Sequence, residues 1–314
     1  MKKNKGIFCL SLDMELLWGR HDKKYVGRFI TRAQKERDIV KKLLSIFQKY
    51  EVAATWAIVG HLFLSSCRRV NGVVHAEINR PYYPWYTKDW FAKDPGTNNN
   101  KDPEWYGPDM IDLIRSNPIQ EIASHSFSHV IFGHSGCSQQ CADDEISQCV
   151  ALAKRKGITL RSFVYPRNSV GHLPLLKKYG FTNYRGENSR YQIPYLGQQL
   201  RTGEYFLPFP PKVYQPTKKD GLVNIPESLY FFSARGVRRH IPNGLRLKKI
   251  RRGIDEAILK GAVFHLWTHP TDFADETENL LSVFEQVISY AKSKQKAGKL
   301  SILTMGQIAE QVRP

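Results

Sequence analysis

The chain has 314 residues, with 47 Lys and Arg against 29 Asp and Glu, which gives a formal net charge of +18. A hydrophobic fraction of 41% is typical of a soluble globular protein, and no run of about 18 apolar residues occurs, so extended disorder and a transmembrane helix are excluded. The positive charge favours an anionic partner: nucleic acid, an anionic membrane surface, a phosphate-bearing glycolipid or nucleotide sugar, or an acidic glycan. A basic surface that serves only solubility explains it equally well.

The cysteines and the N-terminus bear on location. Five cysteines, an odd number without a paired framework, favour a reducing compartment. The first ten residues resemble the start of a signal peptide, but Asp13 and Glu15 interrupt the apolar run too early. We therefore expect a cytoplasmic protein, with a peripheral position at the inner face of the membrane as an option.

The first half of the chain alternates strands and helices. Residues 6–13 form a nearly continuous apolar run that ends in a carboxylate, as expected of a buried parallel strand. A helix to Tyr50 and a strand over 52–59 follow. Residues 67–108 are irregular and rich in aromatic residues, which predicts an insertion whose rings either stack on sugars or simply pack the loop. A strand over 120–124 comes next.

The second half continues the alternation, with helices at about 143–156 and 172–179 and strands at about 160–165 and 181–184. Residues 189–243 read as a second insertion. Because several strand ends carry polar groups, the pattern predicts an α/β barrel rather than an open sheet. We expect residues 1–314 to form one catalytic domain with these two insertions.

Residues 235–252 hold eight Lys or Arg and no acidic residue. They lead into a helix predicted at 245–259, with Arg246, Lys249 and Arg252 toward solvent. A solvated face is the commoner explanation of such a run, and anion binding is the alternative. The stretch comes without a recognisable nucleic-acid-binding fold, so we do not expect a nucleic-acid partner.

His125 and His129 stand four residues apart, directly after the strand at 120–124. Neutral imidazoles bind zinc, and two of them with one carboxylate leave a position open for water. A pair with this spacing is as often a strand cap and an exposed side chain. Asp13 and Glu15 leave the first strand two residues apart and point to the same side, so one can be a metal ligand and the other a proton acceptor.

A third strand end carries His265, Trp267 and His269 on one face. His269 lies outermost, where a general acid could protonate a departing amine. For His265 we expect a buried histidine bonded to a carboxylate. Arg167 follows Pro166 at another strand end, where a guanidinium could hold the base carboxylate ionised, although a surface ion pair is the alternative.

These motifs resemble the polysaccharide deacetylases of the NodB-homology type, carbohydrate esterase family 4. The similar segments follow the family's order along most of the chain: Ser11-Leu-Asp-Met-Glu15, Ala54-Thr-Trp-Ala-Ile-Val-Gly60, His125-Ser-Phe-Ser-His129, Tyr165-Pro-Arg-Asn168 and Leu266-Trp-Thr-His269.

The resemblance implies a distorted (β/α) barrel and a metal-dependent hydrolase, most simply with Zn²⁺, that acts on an N-acylated amino sugar. It implies His125 and His129 as metal ligands, Asp13 as general base and His269 as general acid. Met14 stands where the family's second Asp, normally the ligand, is found. Either Glu15 replaces it, which we adopt, or Asp13 turns to the metal and leaves the base open.

The same resemblance leaves the substrate less defined than the chemistry. We expect a polysaccharide or its lipid-linked or nucleotide-linked precursor, in a pocket lined by four side chains: Trp18, Tyr165, Arg185 and Trp267. Family members with an Asp-x-Glu pattern include enzymes that act on cyclic imides or amides, which is one alternative. A catalytically silent glycan-binding protein is the other.

Overall fold

A computed structural model describes residues 5–186 and 202–312. Its strands, β1 to β10 in chain order, are Gly6–Met14, Thr55–Ile58, Glu121–Ser124, Ser162–Val164, Asn183–Arg185, Thr217–Lys219, Leu222–Asn224, Leu229–Tyr230, Val263–Thr268 and Leu300–Ile302. The α-helices of the described residues, α1 to α7, are Ile30–Tyr50, Pro108–Arg115, Gln139–Arg155, Leu173–Lys178, Asn243–Lys260, Thr277–Lys296 and Met305–Gln311.

The strands form one curled sheet in the order β6-β7-β5-β4-β3-β2-β1-β9-β8, and β10 pairs with the start of β1. Every neighbouring pair is parallel except β6 with β7. Strand β1 is central and buried along its length, with β2 and β9 on either side. This is the distorted barrel that the sequence predicts, and the carboxyl ends of its parallel strands meet at one edge.

Helices cover the outer face of the sheet. Helix α1 packs against α6, and α5 packs against both α6 and β1. Each turns an apolar stripe inward, as in Val40, Leu43 and Phe47 of α1, which are fully buried. None of the described helices is both long and apolar enough to cross a bilayer.

The predicted insertion at 189–243 needs correction. Its residues up to 201 lie outside the described part of the chain, but β6, β7 and β8 fall within it and belong to the main sheet. Strands of two or three residues, one of them the lysine-rich Thr217–Lys219, give too few alternations to be recognised.

The predicted solvent face of α5 is also partly wrong. Arg246 is fully buried, where it donates to the carbonyl oxygens of Phe232 and Arg238 at 2.8 Å, and Lys249 reaches Glu204 at 3.2 Å. Carbonyl oxygens and a carboxylate from distant loops compensate the charges of these buried cations. Part of the basic stretch therefore stabilises the fold, and the rest faces solvent.

Candidate metal-dependent active site

Three strand ends bring the predicted catalytic residues together. Asp13 is the next-to-last residue of β1, Glu15 follows the strand directly, His125 follows β3, and His269 follows β9. Because these strands are parallel members of one sheet, their carboxyl ends share an edge. Asp13, Glu15 and His269 consequently lie with their ligand atoms within 4.8 Å of one another.

Glu15, His125 and His129 form a set suited to one metal ion. Glu15 Oε1 lies 3.2 Å from His125 Nε2 and 3.1 Å from His129 Nε2. His125 Nδ1 lies 2.8 Å from the carbonyl oxygen of Val164, which it can meet only as a donor, so its Nε2 presents a lone pair. Two imidazole nitrogens and a carboxylate that converge in this way match the donor set of a catalytic zinc site.

The backbone of the His125–His129 turn is shaped for this convergence. Ser126 and His129 have left-handed backbone angles, with φ of 58° and 63°, which bend the chain sharply after β3. The turn is held because the buried Glu145 carboxylate accepts hydrogen bonds from the N–H and the hydroxyl of Ser128. Such strained positions persist where surrounding contacts fix them, as they do at many functional sites.

The electrostatic surroundings of Glu15 and His129 favour the protonation states that a metal site requires. Burial alone would raise the pKa of Glu15, but the imidazoles of His269, His129 and His125 hold it well below its usual value. Burial lowers the pKa of His129 despite the nearby Glu15 carboxylate. An ionised carboxylate therefore faces a neutral imidazole, the two forms that bind a divalent cation.

Asp13 is held by Arg185. The guanidinium donates to both carboxylate oxygens of Asp13, at 2.7 and 2.6 Å, and also reaches Ser11 at 3.0 Å and Asn168 at 3.1 Å. Burial opposes the charge on Asp13, but Arg185 holds its pKa below the usual value. Arg185 is 1% exposed, so it positions the carboxylate rather than lining a pocket as predicted.

Arg167, to which we assigned this holding role, lies elsewhere. Its Nη2 bonds Asp22 at 2.5 Å. Left-handed backbone at Arg167 and Asn168 separates the two neighbours, so that Asn168 contacts Arg185 while Arg167 turns to the loop after β1. The assignment of Arg167 is therefore wrong, because the guanidinium on the next strand, β5, occupies the place beside Asp13.

His269 belongs to a second polar group. Asp272 Oδ2 lies 2.8 Å from His269 Nδ1 and accepts a hydrogen bond from the Tyr230 hydroxyl at 2.7 Å. His269 Nε2 lies 3.5 Å from Glu15 Oε1. Burial alone would lower the pKa of His269, but the carboxylates of Glu15 and Asp272 raise it to about 10, so the imidazole carries a proton available for transfer.

A sequence model described as polysaccharide deacetylase matches residues 23–184, just over half of the chain, a range that includes His125 and His129. The chain belongs to the polysaccharide deacetylase family. No curated protein matches it in sequence.

Solved structures share the polysaccharide deacetylase fold. A protein assigned to the polysaccharide deacetylases, from Mycobacterium smegmatis, is 15% identical, with 99% of this chain and 91% of that chain covered and a TM-score of 0.67. Another from Pseudomonas aeruginosa PAO1 is 12% identical, with 97% and 90% covered and a TM-score of 0.59. PuuE allantoinase is 11% identical, with 98% and 90% covered and a TM-score of 0.61.

Two residues predicted to line the substrate pocket are buried away from it. Trp18 is fully buried and donates its indole N–H to the Trp105 carbonyl oxygen at 3.1 Å. Tyr165 is fully buried against Phe163 and Phe132. Both rings pack the core beside the site, because aromatic residues next to strand ends serve packing as readily as binding.

The positions of Trp267 and His265 are closer to those predicted from the sequence. Trp267 is 7% exposed, stacks on Tyr230 with ring centres 4.1 Å apart and lies under the Arg185 guanidinium at 4.4 Å. His265 is fully buried, as predicted, but it bonds the Ser11 hydroxyl at 2.9 Å rather than a carboxylate.

Sequence reasoning missed three supporting residues of the deacetylase site: Asp272, Tyr230 and Gly19. Asp272 follows His269 by three residues, a spacing that places a carboxylate beside the imidazole in a tight turn. The pairing of the two residues could therefore have been predicted from the sequence. Tyr230 lies on the unrecognised β8. A Cβ on Gly19 would lie 1.7 Å from Glu15 Oε2, so only glycine leaves room for that carboxylate.

A cleft of about 600 Å³ has Asp272, the hydrogen-bond partner of His269, in its wall. Tyr230 and Phe29 lie in its wall, and six cationic side chains line it against the single carboxylate of Asp272: Arg20, Lys23, Arg32, Arg167, Arg235 and Arg238. A cleft with this charge attracts anions. The side chain of Arg167 is 31% exposed, so it faces the cleft while it pairs with Asp22.

Proposed function

We propose that this deacetylase-family protein is a metal-dependent hydrolase that removes an N-acyl group, in the first place N-acetyl, from an amino sugar. The observation that carries the proposal is the convergence of Glu15, His125 and His129 on one point, with Asp13 and His269 on either side. Zn²⁺ is the ion that this donor set favours.

Glu15, His125 and His129 would hold the metal. A divalent cation bound there supplies a Lewis acid that lowers the pKa of a coordinated water and polarises the amide carbonyl. The carboxylate of Glu15, one residue after the buried Met14, would take the place of the family's usual Asp as a ligand.

Two residues of the chain carry the proton steps. Asp13 accepts a proton from the attacking water through the carboxylate lone pairs that Arg185 leaves free, and Arg185 keeps it ionised before that step. His269 donates its proton from Nε2 to the departing amine nitrogen. Asp272 and Tyr230 fix its ring, which faces Glu15 across 3.5 Å.

The cleft supports an anionic substrate. Its six cationic side chains lie next to the proposed acid, where the part of a substrate beyond the acetamido sugar would rest. A phosphate-bearing precursor of a surface polysaccharide, linked to a lipid or a nucleotide, has this chemistry. The cytoplasmic location, at the inner membrane face for a lipid-linked substrate, remains part of this proposal.

Acetate release tests the activity. We expect purified protein to release acetate from a nucleotide-linked N-acetylamino sugar more efficiently than from the uncharged sugar, and to lose turnover after metal chelation and in His125→Ala. His240→Ala, which removes an exposed histidine, is the matched control and should keep full activity. Unchanged turnover in His125→Ala would refute the mechanism.

A ring-opening amidohydrolase is the second candidate. The Asp13-Met14-Glu15 spacing favours it, and PuuE allantoinase shares the fold. A direct comparison of a cyclic imide with an acetamido sugar decides between the two. A silent glycan-binding protein would instead bind saccharide while releasing no acetate and holding no metal at Glu15.

A further inference from the structure

A second group of metal-ligand side chains lies outside the proposed active site. His61 follows β2, and Cys67, His75 and Asp94 belong to the long loop at 64–107. Each of the four places one ligand atom within 4.8 Å of the others. None of them has a part in the deacetylation chemistry described above.

The contacts within this group are short. Asp94 Oδ2 lies 3.0 Å from His61 Nε2 and 3.2 Å from His75 Nε2, and the two imidazole nitrogens lie 3.1 Å apart. Cys67 Sγ lies 3.3 Å from Asp94 Oδ1. Around a tetrahedral zinc with ligands at 2.0–2.3 Å, neighbouring ligand atoms would lie roughly 3.3–3.8 Å apart. Around Asp94 Oδ2 and the two imidazoles, one ion needs shifts of a few tenths of an ångström, and no two of the four ligand atoms lie more than 4.8 Å apart.

The hydrogen-bond pattern favours a cation over protons alone. His61 Nδ1 lies 3.2 Å from the carbonyl oxygen of Trp105 and can only donate to it, so a neutral His61 turns its Nε2 lone pair toward Asp94 and His75. Without a metal, one proton on His75 Nε2 would have to form the hydrogen bonds to both His61 Nε2 and Asp94 Oδ2. A metal ion satisfies all of these lone pairs at once.

The protonation states agree with this geometry. Burial lowers the pKa of His61, although Asp94 opposes that effect. Burial alone would raise the pKa of Asp94, but the imidazoles of His61 and His75 hold it well below its usual value. Burial raises the pKa of the Cys67 thiol to about 12 in the absence of a cation, and coordination would remove that proton.

The surroundings are those of a closed site. His61 and Asp94 are almost fully buried, and aromatic rings pack against the two imidazoles from several sides. The ring centres of Trp18 and Phe127 lie 4.4 and 5.6 Å from that of His61, and that of Phe91 lies 5.0 Å from that of His75. Four protein ligands within an apolar wall are typical of structural zinc.

We propose that His61, Cys67, His75 and Asp94 bind one structural Zn²⁺ that fastens the loop at 64–107 to the end of β2. An ion bound there would also support the active-site turn at His125–His129. The N–H groups of Gly60 and His61 bond the carbonyl oxygens of Ser126 and Phe127 at 2.7 and 2.9 Å, so the fastened segment supports the turn that carries the active-site histidines.

Metal content of the purified protein tests the proposal directly. We expect two equivalents of divalent metal in the wild-type chain, of which Cys67→Ala removes one and His125→Ala removes the other. Cys137→Ala, at a buried cysteine outside the group, is the control and should keep both. A folded Cys67→Ala or Asp94→Asn protein that keeps all the metal of the wild type would overturn the proposal.

Alkylation decides the question even where those variants fail to fold. Cys67 is half-buried while the other four cysteines are buried, so iodoacetamide labelling followed by mass spectrometry can report on it in the intact chain. With His125→Ala as background, which lacks an active-site ligand, chelation should speed Cys67 labelling by about tenfold or more, and Zn²⁺ should reverse this. Equal rates with and without chelator would show a hydrogen-bonded cluster only.

Discussion

Two clusters in this protein gather the same groups in different surroundings. Each brings two imidazoles to one carboxylate at 3.0–3.2 Å: His125 and His129 to Glu15, His61 and His75 to Asp94. Around Glu15 the further groups are Asp13 and His269, to which the proposed function gives the two proton transfers. Around Asp94 the further group is a thiol, which is itself a ligand.

The surroundings of each cluster, more than the ligands that the two clusters share, therefore determine whether a bound metal is hydrolytic or structural. Glu15 is linked to the basic cleft through His269 and Asp272, and Asp272 lies in the cleft wall, which is the side from which the proposed substrate would approach. Asp94 and its partners lie behind Trp18 and Phe91, where four protein ligands leave no position open. An open position is what a hydrolytic metal needs, and a filled one is what a structural metal needs.

The largest expected effect separates the clusters by function. His269→Gln should lower kcat for deacetylation by about 10²–10⁴-fold even in the molecules that remain folded, because it removes the proton donor. Asp94→Asn should do the reverse, with a lower melting temperature and near-normal kcat for the molecules that remain folded. Steady-state kinetics and calorimetry on both variants measure this.

His240→Gln, at an exposed histidine, controls for the substitution itself. Should Asp94→Asn abolish turnover without a change in stability, the functional separation of the two clusters would be wrong.

A second prediction concerns a buried carboxylate that has no imidazole partner. Glu36 of α1 is fully buried, and its oxygens have no hydrogen-bond partner among the described residues. Burial and the nearby Glu15 raise its pKa to about 8, in contrast to Glu15 and Asp94. The unfolded chain releases this proton near pH 4.5 and the folded chain near pH 8, so this group's contribution to stability is lost as pH rises through that window.

Glu36→Gln should remove this loss and stabilise the protein at pH 8 by a few kcal/mol, with little effect below pH 4.5. Unfolding midpoints in urea across this pH range measure the difference from wild type. Asp38→Asn, at an exposed carboxylate of the same helix, should give a difference that does not vary with pH. A pH-independent difference for Glu36→Gln would show that this carboxyl is ionised in the folded chain.

The strand ends explain how much of the site the sequence could predict. Asp13, His125 and His269 each follow an apolar run, and parallel strands must bring such ends to one edge. The arginine that holds Asp13 could not be predicted from the strand ends in the same way. Arg167 and Arg185 end neighbouring strands, and only the left-handed turn at Arg167 decides between them.

Long-range partners explain what the sequence could not show. The buried positions of Arg246 and Lys249 depend on carbonyls and a carboxylate from loops about 10 to 45 residues away. The second cluster was hidden for a related reason. The sequence around Cys67 gives no sign of a metal site, because the four residues of the cluster are spread over 34 residues without a spacing typical of zinc sites.

The smallest predicted effect tests how Glu15 is kept in place. A Cβ at Gly19 would overlap the Glu15 carboxylate, at 1.7 Å from Oε2 and 2.5 Å from Cδ, so Gly19→Ala must displace it from His125 and His129. We expect the active-site metal to bind about 10- to 100-fold more weakly, as for other losses of ligand support, while the metal at Asp94 is retained. Competition with a chelator measures both affinities in one titration.

Gly27→Ala is the matched control, because a Cβ there meets nothing within 4 Å. Equal weakening of both metals by Gly19→Ala would mean that the change acts through Trp18, which contacts His61, and not through Glu15 alone.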